Sequence, residues 1–285
     1  FFGVERNGAR AWYELPGQTF QIQPAEFAKV AVIVALAAFV ANQGGHLRLV
    51  TLSNAYLMLA VPLGLIYLQP DLGTMLVFVA IGMGVLLVAG AQLKHIVVTS
   101  LIGVVVVVAM FNSDNLGGPA LLRQTQEQRL TAFLDPSFDL QGASYNINQS
   151  QIAIGAGGLR GQGWLQGTQT NLNLVPEQET DFIFTALGEE FGFVGVSLLL
   201  LLYAYMLARI WFIARASNDL FAAFACVGAL SMLTFQIFQN IGMTMGIMPI
   251  TGIPLPFLSH GGSSTVVAFG LIGLVINVSA RRHLT

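Results

Sequence analysis

Residues 174–195 read LVPEQETDFIFTALGEEFGFVG and join an acidic segment to a long apolar run. Glu177, Glu179 and Asp181 lie in the acidic part, and the apolar run continues to Ala208. An apolar run of about 20 residues is typical of a helix that crosses a membrane. We therefore expect a span over residues 181–208, with the acidic residues at its water-exposed end.

Two further carboxylates, Glu189 and Glu190, lie inside this apolar run. On a continuous helix Glu190 is roughly 13 Å from Asp181, because each residue adds about 1.5 Å. That distance is near the middle of a ~30 Å hydrocarbon core. A charged carboxylate there costs on the order of 3 kcal/mol, so both side chains should face protein or a wet cavity. The sequence does not indicate their role.

The composition is that of an integral membrane protein. Of the 285 residues, 55% are hydrophobic and 9% are charged, whereas soluble domains carry about 25% charged residues. We expect an all-α, polytopic transmembrane helix bundle, with residues 1–285 as a single transmembrane domain. The net charge of −2 gives no indication of a nucleic-acid partner. One cysteine, Cys226, and four histidines without ligand spacing indicate no protein-built metal site.

The apolar runs predict about seven spans. These are expected at residues 26–40, 51–68, 74–89, 96–111, 181–208, 221–248 and 265–279. Residues 1–22 are expected to form a short loop, and residues 112–180 a long loop between the fourth and fifth spans. Within the sixth span, Gln236, Gln239 and Asn240 should face a partner or a cavity.

The distribution of basic residues predicts the orientation. Alternate short loops carry the Lys and Arg residues, namely Arg48, Lys94, Arg209, Arg215, Arg281 and Arg282. The positive-inside rule places these loops in the cytoplasm. The long loop and Asp181 are therefore expected on the outer face.

Several polar residues at the ends of spans have two interpretations each. Glu26 and Lys29 are three residues apart on one helix face and can pair, either snorkelling to headgroups or lining a cavity. Asp71 can line the same cavity or cap the third span. Trp12 is typical of an anchor at the membrane interface.

The long loop contains interleaved apolar residues that predict short helices on the membrane surface. Its Gly-rich part, residues 155–163, could present backbone N–H groups to a phosphate, although it is no Walker A loop. A flexible hinge is the alternative. Arg129 and Arg160 suit phosphate binding, but surface charge is their ordinary role.

Six motifs, in this order, resemble the SEDS family of bacterial shape, division and sporulation proteins. They are QPAEFAK at 23–29, QPDLGT at 69–74, QSQIAIGAGGLRGQGW at 149–164, PEQETDFIF at 176–184, GEE at 188–190 and GIPLPFLSHGGSS at 252–264. The GTQT run at 167–170 is closer to the elongation branch than to the division branch. Ala25, Ala156, Glu179 and His260 depart from the residues that are frequent at these positions.

The resemblance implies a multi-pass protein of the bacterial cytoplasmic (inner) membrane. Members have about ten spans, so three would precede this sequence. They are peptidoglycan glycosyltransferases that polymerise lipid II into glycan strands on the outer face, in contact with membrane lipid. Their partner is a class B penicillin-binding protein, which is a transpeptidase.

The family's essential aspartate falls on Asp181, which we expect to act as the general base. Its other motif residues fall on Trp12, Glu26 and Lys29. We add further candidates for substrate binding at Asp71, Arg129, Gln151 and Arg160. The undecaprenyl pyrophosphate leaves in an inverting step, and Arg or a divalent cation (Mg or Mn) would offset its charge.

Competing hypotheses accompany this assignment. Asp181 could simply cap a helix, and the helix dipole is expected to keep it ionised. Glu179, two residues away, is expected to raise its proton affinity. A lipid-linked precursor transporter (flippase) would use the intramembrane charges as a headgroup path, but it leaves the long loop unexplained. A scaffold that only recruits a partner leaves the charges without a role.

Overall fold

The computed structural model describes residues 4–6, 9–14, 21–44, 47, 49–113, 124–135 and 142–281. The strands in this part of the chain are β1 (Val4–Arg6), β2 (Ala9–Glu14) and β3 (Gln21–Ile22). The helices are α1 (Pro24–Ala41), α2 (Leu49–Tyr67), α3 (Leu72–Val88), α4 (Leu93–Phe111), α5 (Gln124–Leu134), α6 (Ala143–Gly157), α7 (Thr168–Asn171), α8 (Ile183–Arg215), α9 (Leu220–Thr244) and α10 (Gly262–Arg281). The basic residues Arg48 and Arg282, on which the predicted orientation partly rests, lie outside the described residues.

The predicted polytopic helix bundle is confirmed. Six helices, α1, α2, α4, α8, α9 and α10, are long and apolar enough to cross a membrane. Helix α3 has 17 apolar residues, and at about 1.5 Å per residue it reaches the lower limit for a span. Together these seven helices lie where the sequence predicted the spans.

The N-terminal segment differs from the expected loop, because it contains a small antiparallel sheet in the order β1-β2-β3. Tyr13 of β2 pairs with Ile22 of β3. The sheet is tied to α10 by Ser263, whose hydroxyl donates to the Gln21 carbonyl at 2.9 Å and accepts from the Gln23 N–H at 3.0 Å. These bonds hold the strands beside the start of α1.

Helix α9 is the centre of the bundle and packs against α1, α3, α8 and α10. Ile33 of α1, Ile81 of α3 and Leu233 of α9 meet in the main core and are fully buried. Gly228 of α9 permits this approach, since a side chain there would run into Ile33. Helix α4, in contrast, buries almost none of its surface and stands at the edge of the bundle.

Helix α8 is broken near its N-terminal end. Gly192 has φ 62° and ψ −164°, a conformation that glycine adopts at little cost. The helix begins at Ile183, after Asp181, and it continues to Arg215, so the loop expected at 209–219 is shorter than predicted. The expected continuous helix over residues 181–208 is therefore interrupted, two residues after Glu190.

The break is held by four backbone hydrogen bonds to the Gly-rich part of the long loop between α4 and α8. The pairs are Phe193 N to Gly158 O (2.9 Å), Val194 N to Leu159 O (3.1 Å), Gln162 N to Glu189 O (2.9 Å) and Gly163 N to Glu190 O (3.1 Å). They satisfy the groups that the broken helix leaves unpaired. The N–H groups of residues 161–163 are bonded within the chain, so these three groups are not available to a phosphate.

Glu189 links the same break to α7. Its buried carboxylate accepts hydrogen bonds from the N–H of Gln169 at 2.7 Å and from the N–H of Thr170 at 2.9 Å. The Thr170 hydroxyl adds a third bond at 2.6 Å. The carboxylate thus faces protein, as the cost of burying it required, and it caps α7, a short helix of the same long loop.

We expect Gly161→Ala to destabilise the protein strongly. Gly161 has φ +77°, and a Cβ there would overlap the backbone carbonyl of Glu190. The left-handed backbone alone costs on the order of 1–2 kcal/mol for a residue with a side chain, and the overlap adds to it. Thermal unfolding in detergent measures the effect.

Two neighbouring glycines provide the controls for this substitution. Gly158 has φ +54° but open space around it, so Gly158→Ala should show the backbone cost alone. Gly155 is helical and also unobstructed, so Gly155→Ala should be neutral or slightly stabilising. Equal melting temperatures for Gly161→Ala and Gly155→Ala would contradict the close packing of the break.

Candidate active site

A cavity of about 2130 Å³ opens between the helices and has a polar and an apolar half. The charged and histidine side chains that line it are Glu26, Lys29, Asp71, Arg129, Glu177, Glu179, Asp181 and His260. The apolar half lies between α2, α3 and α4 and is lined by Leu59, Leu63, Val79, Met83, Val104 and Val107. The loop at 249–261 forms another wall of the cavity.

Asp181 lies in a tight turn just before α8. The N–H groups of Thr180, Asp181 and Phe182 all donate to the Glu177 carbonyl, at 3.2, 3.0 and 3.2 Å. The N-cap of α8 is Phe182, and no side chain caps that helix. Asp181 is therefore not a helix cap, and its partly exposed carboxylate faces the cavity.

The environment of Asp181 raises the pKa of its carboxyl above the ordinary value. Burial raises its pKa from the ordinary 3.8 to about 6, although the nearby Arg129 guanidinium lowers it. The charges of Glu177 and Asp71 raise the pKa further, while a hydrogen bond with Thr180 lowers it. Desolvation is the largest of these effects, and with a pKa of about 6 the carboxylate is still mostly ionised near neutral pH, as expected. The acidic neighbour that matters is Glu177 rather than Glu179.

Arg129, on α5, faces Asp181 across Gly252. A methyl group placed on Gly252 would lie 3.3 Å from Oδ2 of Asp181 and 3.8 Å from Nη1 of Arg129. Gly252 has φ +71°, so a side chain is disfavoured there on conformational grounds as well. The glycine keeps open the space between a carboxylate and a guanidinium.

Asn240 of α9 fixes the backbone on which this site is built. Its fully buried amide donates to the carbonyl of Asp181 at 2.8 Å and to the carbonyl of Ile253 at 2.8 Å. Gln239 donates to the carbonyl of Pro249 at 2.9 Å. The prediction that these two polar residues of α9 face a partner is confirmed, and the partner is the backbone of the site.

Glu26 and Lys29 form a buried pair in the cavity wall. Lys29 Nζ lies 2.6 Å from Glu26 Oε1, and the two residues are 1% and 3% exposed. Such burial rules out snorkelling to headgroups. Oε2 of Glu26 has no hydrogen-bond partner among the described residues, so the pair has acceptor capacity left.

Asp71 and Trp12 also line the cavity. Asp71 caps α3, because its carboxylate accepts from the N–H of Thr74 at 2.9 Å and from the Thr74 hydroxyl at 2.7 Å. It can thus serve both of the roles that the sequence left open. Trp12 is partly buried, and its place in the cavity wall is more specific than the interface anchor considered from the sequence.

Arg160 and Gln151 are not brought into the cavity. Arg160 is exposed beside the break in α8. The Gln151 amide donates to the Met245 carbonyl at 2.9 Å and joins α6 to the end of α9. Neither residue is part of the cavity lining.

The sequence did not single out Glu177 or His260 as site residues, yet both line the cavity. The backbone N–H of His260 donates to the Glu179 carbonyl at 2.8 Å, which joins the loop at 249–261 to the acidic turn. Both residues belong to quoted motifs. Their presence in a long motif beside Asp181 was the signal available in the sequence.

Comparisons with known proteins give the same family over the whole chain. Peptidoglycan glycosyltransferase MrdB of Escherichia coli is 39% identical over 284 residues, which are 99% of this chain and 74% of that relative. Stage V sporulation protein E of Bacillus subtilis is also 39% identical, over 97% of this chain and 73% of that relative.

Two solved structures are similar in fold. A chain from a structure titled "Structural coordination of polymerization and crosslinking by a peptidoglycan synthase complex" has a TM-score of 0.80 and 32% identity, over all of this chain and 77% of that one. The crystal structure of rod shape determining protein RodA of Thermus thermophilus has a TM-score of 0.66 and 31% identity, over 99% of this chain and 72% of that one. Since the family model of the FtsW/RodA/SpoVE cell cycle proteins matches residues 1–284, this chain belongs to that family.

Proposed function

We propose that this protein is a peptidoglycan glycosyltransferase that polymerises lipid II during cell-wall elongation. The observation that carries the proposal is Asp181, a carboxylate of raised pKa that faces Arg129 in a cavity with an apolar half. A base, a cation for phosphate and an apolar groove are what the transfer of a prenyl-linked sugar needs. The relatives whose names state an activity are called peptidoglycan glycosyltransferases.

Asp181 acts as the general base. It takes the proton from the 4-hydroxyl of the acceptor's N-acetylglucosamine, and that oxygen attacks the anomeric carbon of the donor. The bond between the anomeric carbon and the pyrophosphate breaks as the new glycosidic bond forms, so the configuration inverts without a covalent enzyme intermediate. A pKa of about 6 suits this role, because a base is most effective when its pKa is near the working pH.

Arg129 contacts the pyrophosphate of the donor. Its planar guanidinium matches phosphate oxygens in pairs, and its place opposite Asp181 puts it beside the bond that breaks. Lys29 lies in the same cavity wall but is already paired with Glu26. The leaving pyrophosphate therefore meets Arg129 as the main cation of the described cavity.

A divalent cation, Mg or Mn, is proposed as a companion of the pyrophosphate. Five acidic side chains and two basic ones are found among the described lining residues, which is a poor environment for an anionic substrate alone. No cluster of three or more His, Cys, Asp or Glu residues that could hold a metal occurs in the described part of the chain. Substrate oxygens would thus supply most of the ligands, as is common for magnesium, and the cation would offset pyrophosphate charge.

The apolar half of the cavity accommodates the prenyl chain. Among the described residues, α4 makes few contacts with α2 and α3. Tyr56 and Thr99 share a hydrogen bond at 3.1 Å, and the Ser100 hydroxyl donates to the Met83 sulfur at 3.8 Å. Lipid surrounds the exposed face of α4, so a prenyl chain can enter from the side. The chain is assigned to the bacterial inner membrane, with this site on the outer face.

A transpeptidase of class B is the proposed protein partner. One of the similar structures is described as a peptidoglycan synthase complex that coordinates polymerisation and crosslinking. A polymerase and a crosslinking enzyme act on the same glycan strand, which makes their association useful. The growing glycan strand is the second ligand of the site.

Two substitutions should move the pH dependence of polymerisation in opposite directions. The rate should fall as the pH drops through about 6, because protonation removes the base. Glu177→Gln removes a charge that raises the pKa of Asp181, so the midpoint of the pH–rate profile of this variant should shift to lower pH. Arg129→Gln removes the charge that lowers this pKa, so the midpoint of the pH–rate profile of this variant should shift to higher pH.

The pH profile is measured with purified lipid II at saturating concentration. Glu179→Gln is the matched control for Glu177→Gln, since Glu179 lines the cavity but does not affect the pKa of Asp181 appreciably. Midpoints that shift equally in all three variants would show that Asp181 does not set the profile.

The direct test of the function is polymerisation of purified lipid II by the full-length protein in detergent. Glycan strands in the absence of any other enzyme would establish the activity. If the protein instead only equilibrates lipid II across vesicle membranes, it is a transporter and the proposal fails.

A further inference from the structure

We propose that residues 159–165 of the outer loop form an anchor that sits in the outer leaflet of the membrane. Leu159, Trp164 and Leu165 lie at the boundary between headgroups and acyl chains, and Arg160 reaches the phosphate level. We call residues 159–165 the anchor segment. It lies outside the cavity, so the inference does not depend on the proposed glycosyltransferase activity.

Hydrogen bonding sets the depth of the anchor segment. The Gly158 and Leu159 carbonyls accept from the N–H groups of Phe193 and Val194, the first residues after the break in α8. From Phe193 the helix runs about 24 Å to Arg209 and about 33 Å to Arg215, at 1.5 Å per residue, and these two lengths bracket a ~30 Å core. Because Arg215 belongs at the cytoplasmic end, Phe193 lies at the outer boundary, and the anchor segment lies beside it.

The side chains of the anchor segment are strongly exposed and apolar. Leu159 is 73% exposed, Trp164 67% and Leu165 65%. The Trp164 ring packs against Phe191, with the centroids 5.5 Å apart, so it is held in place on the surface. Large exposed apolar side chains within one short segment indicate an interaction surface, and tryptophan is enriched at the membrane interface.

The exposed surface of the anchor segment is suited to contact with lipid. Beyond the break, α8 exposes Phe193, Val194, Leu198 and Leu201, which are suited to lipid contact along a spanning helix. Leu159 of the anchor segment accepts a backbone hydrogen bond from Val194, and the preceding Gly158 accepts one from Phe193, so the anchor segment lies directly beside this exposed apolar part of α8. A protein partner would have to cover the outer end of the spanning helix as well.

Arg160 completes the fit to a membrane surface. It is exposed between the apolar Leu159 and the left-handed Gly161. A long basic side chain beside apolar residues extends toward the headgroups and leaves its stem in the apolar layer. The guanidinium is then available to the phosphate of a lipid, most favourably an anionic one.

The position of Trp164 can be measured by fluorescence quenching. The variant Trp12→Phe/Trp211→Phe leaves Trp164 as the one tryptophan of this sequence. In lipid nanodiscs we expect lipids brominated near the headgroup end of the chains to quench its emission more strongly than lipids brominated at the chain end. The variant Trp12→Phe/Trp164→Phe reports on Trp211, within the spanning part of α8, and is the positive control.

The opposite quenching pattern would overturn this placement of Trp164. If aqueous acrylamide quenches Trp164 and neither brominated lipid does, the anchor segment faces water or a protein partner. For Arg160, brominated phosphatidylglycerol should quench Trp164 more than brominated phosphatidylcholine, and Arg160→Gln should remove that difference. A difference that persists in Arg160→Gln would overturn the headgroup contact.

Discussion

Replacing Asp181 by asparagine should abolish glycan polymerisation while the protein still inserts and folds. The change keeps the shape of the side chain and removes the group that accepts the proton. Loss of a general base costs at least about 10² in rate. The measurement is the formation of glycan strands from purified lipid II by the full-length protein, compared with wild type.

The backbone of the site should survive this substitution. The carbonyl of residue 181, not its side chain, accepts the hydrogen bond from Asn240, and the turn is closed by the Glu177 carbonyl. Unchanged thermal unfolding is therefore the control. Strand synthesis by Asp181→Asn at a rate near that of wild type would refute the assignment of the base.

Loss of one member of the Glu26–Lys29 pair should have the second large effect. Lys29→Ala leaves the carboxylate of Glu26 buried without its cation, and the side chains are 2.6 Å apart before the change. Removal of one partner from a buried pair typically costs about 3–5 kcal/mol. We expect a lower melting temperature and little activity, and Glu26→Ala should behave in the same way.

The double variant Glu26→Gln/Lys29→Met separates folding from function. It removes both charges and keeps the approximate volumes, and such replacements are often tolerated. We expect thermal stability to return while polymerisation stays low, because the wall of the cavity has lost its charged pair. If activity returns together with stability, the pair has only a structural role.

The sequence predicted the membrane bundle well because membrane-spanning helices are indicated by apolar composition over long runs of residues. The seven spans and the pairing of Glu26 with Lys29 follow from apolar length and from helix periodicity. The break at Gly192 was not predictable in the same way. A glycine within an apolar helix is common in membranes, and only the bonds to residues 158–163, distant in the sequence, keep the helix broken.

The site was predictable in part. The motifs correctly indicated four residues that line the cavity, namely Asp181, Glu26, Lys29 and Asp71. Membership of a motif does not, however, show whether a side chain points into the cavity. Arg160 lies in a motif yet faces away from the cavity, because the Gly-rich segment is used to hold the break in α8.

The pKa of Asp181 could not be read from local sequence either. The sequence suggested that Glu179 would raise the proton affinity of Asp181, whereas the largest cause of the raised pKa is burial of the carboxyl in the folded protein. That burial is tertiary, and no spacing of charges in the sequence reports it.

The double hydrogen bond of Asn240 has a consequence for the timing of events during a reaction cycle. One amide holds both the residue that carries the base and Ile253, next to the glycine that separates base from guanidinium. Neither backbone segment can move alone without leaving a buried carbonyl unpaired, at about 1–3 kcal/mol. A substrate that enters therefore meets an electrostatic arrangement that is already set, and little reorganisation remains for the step in which the proton is transferred.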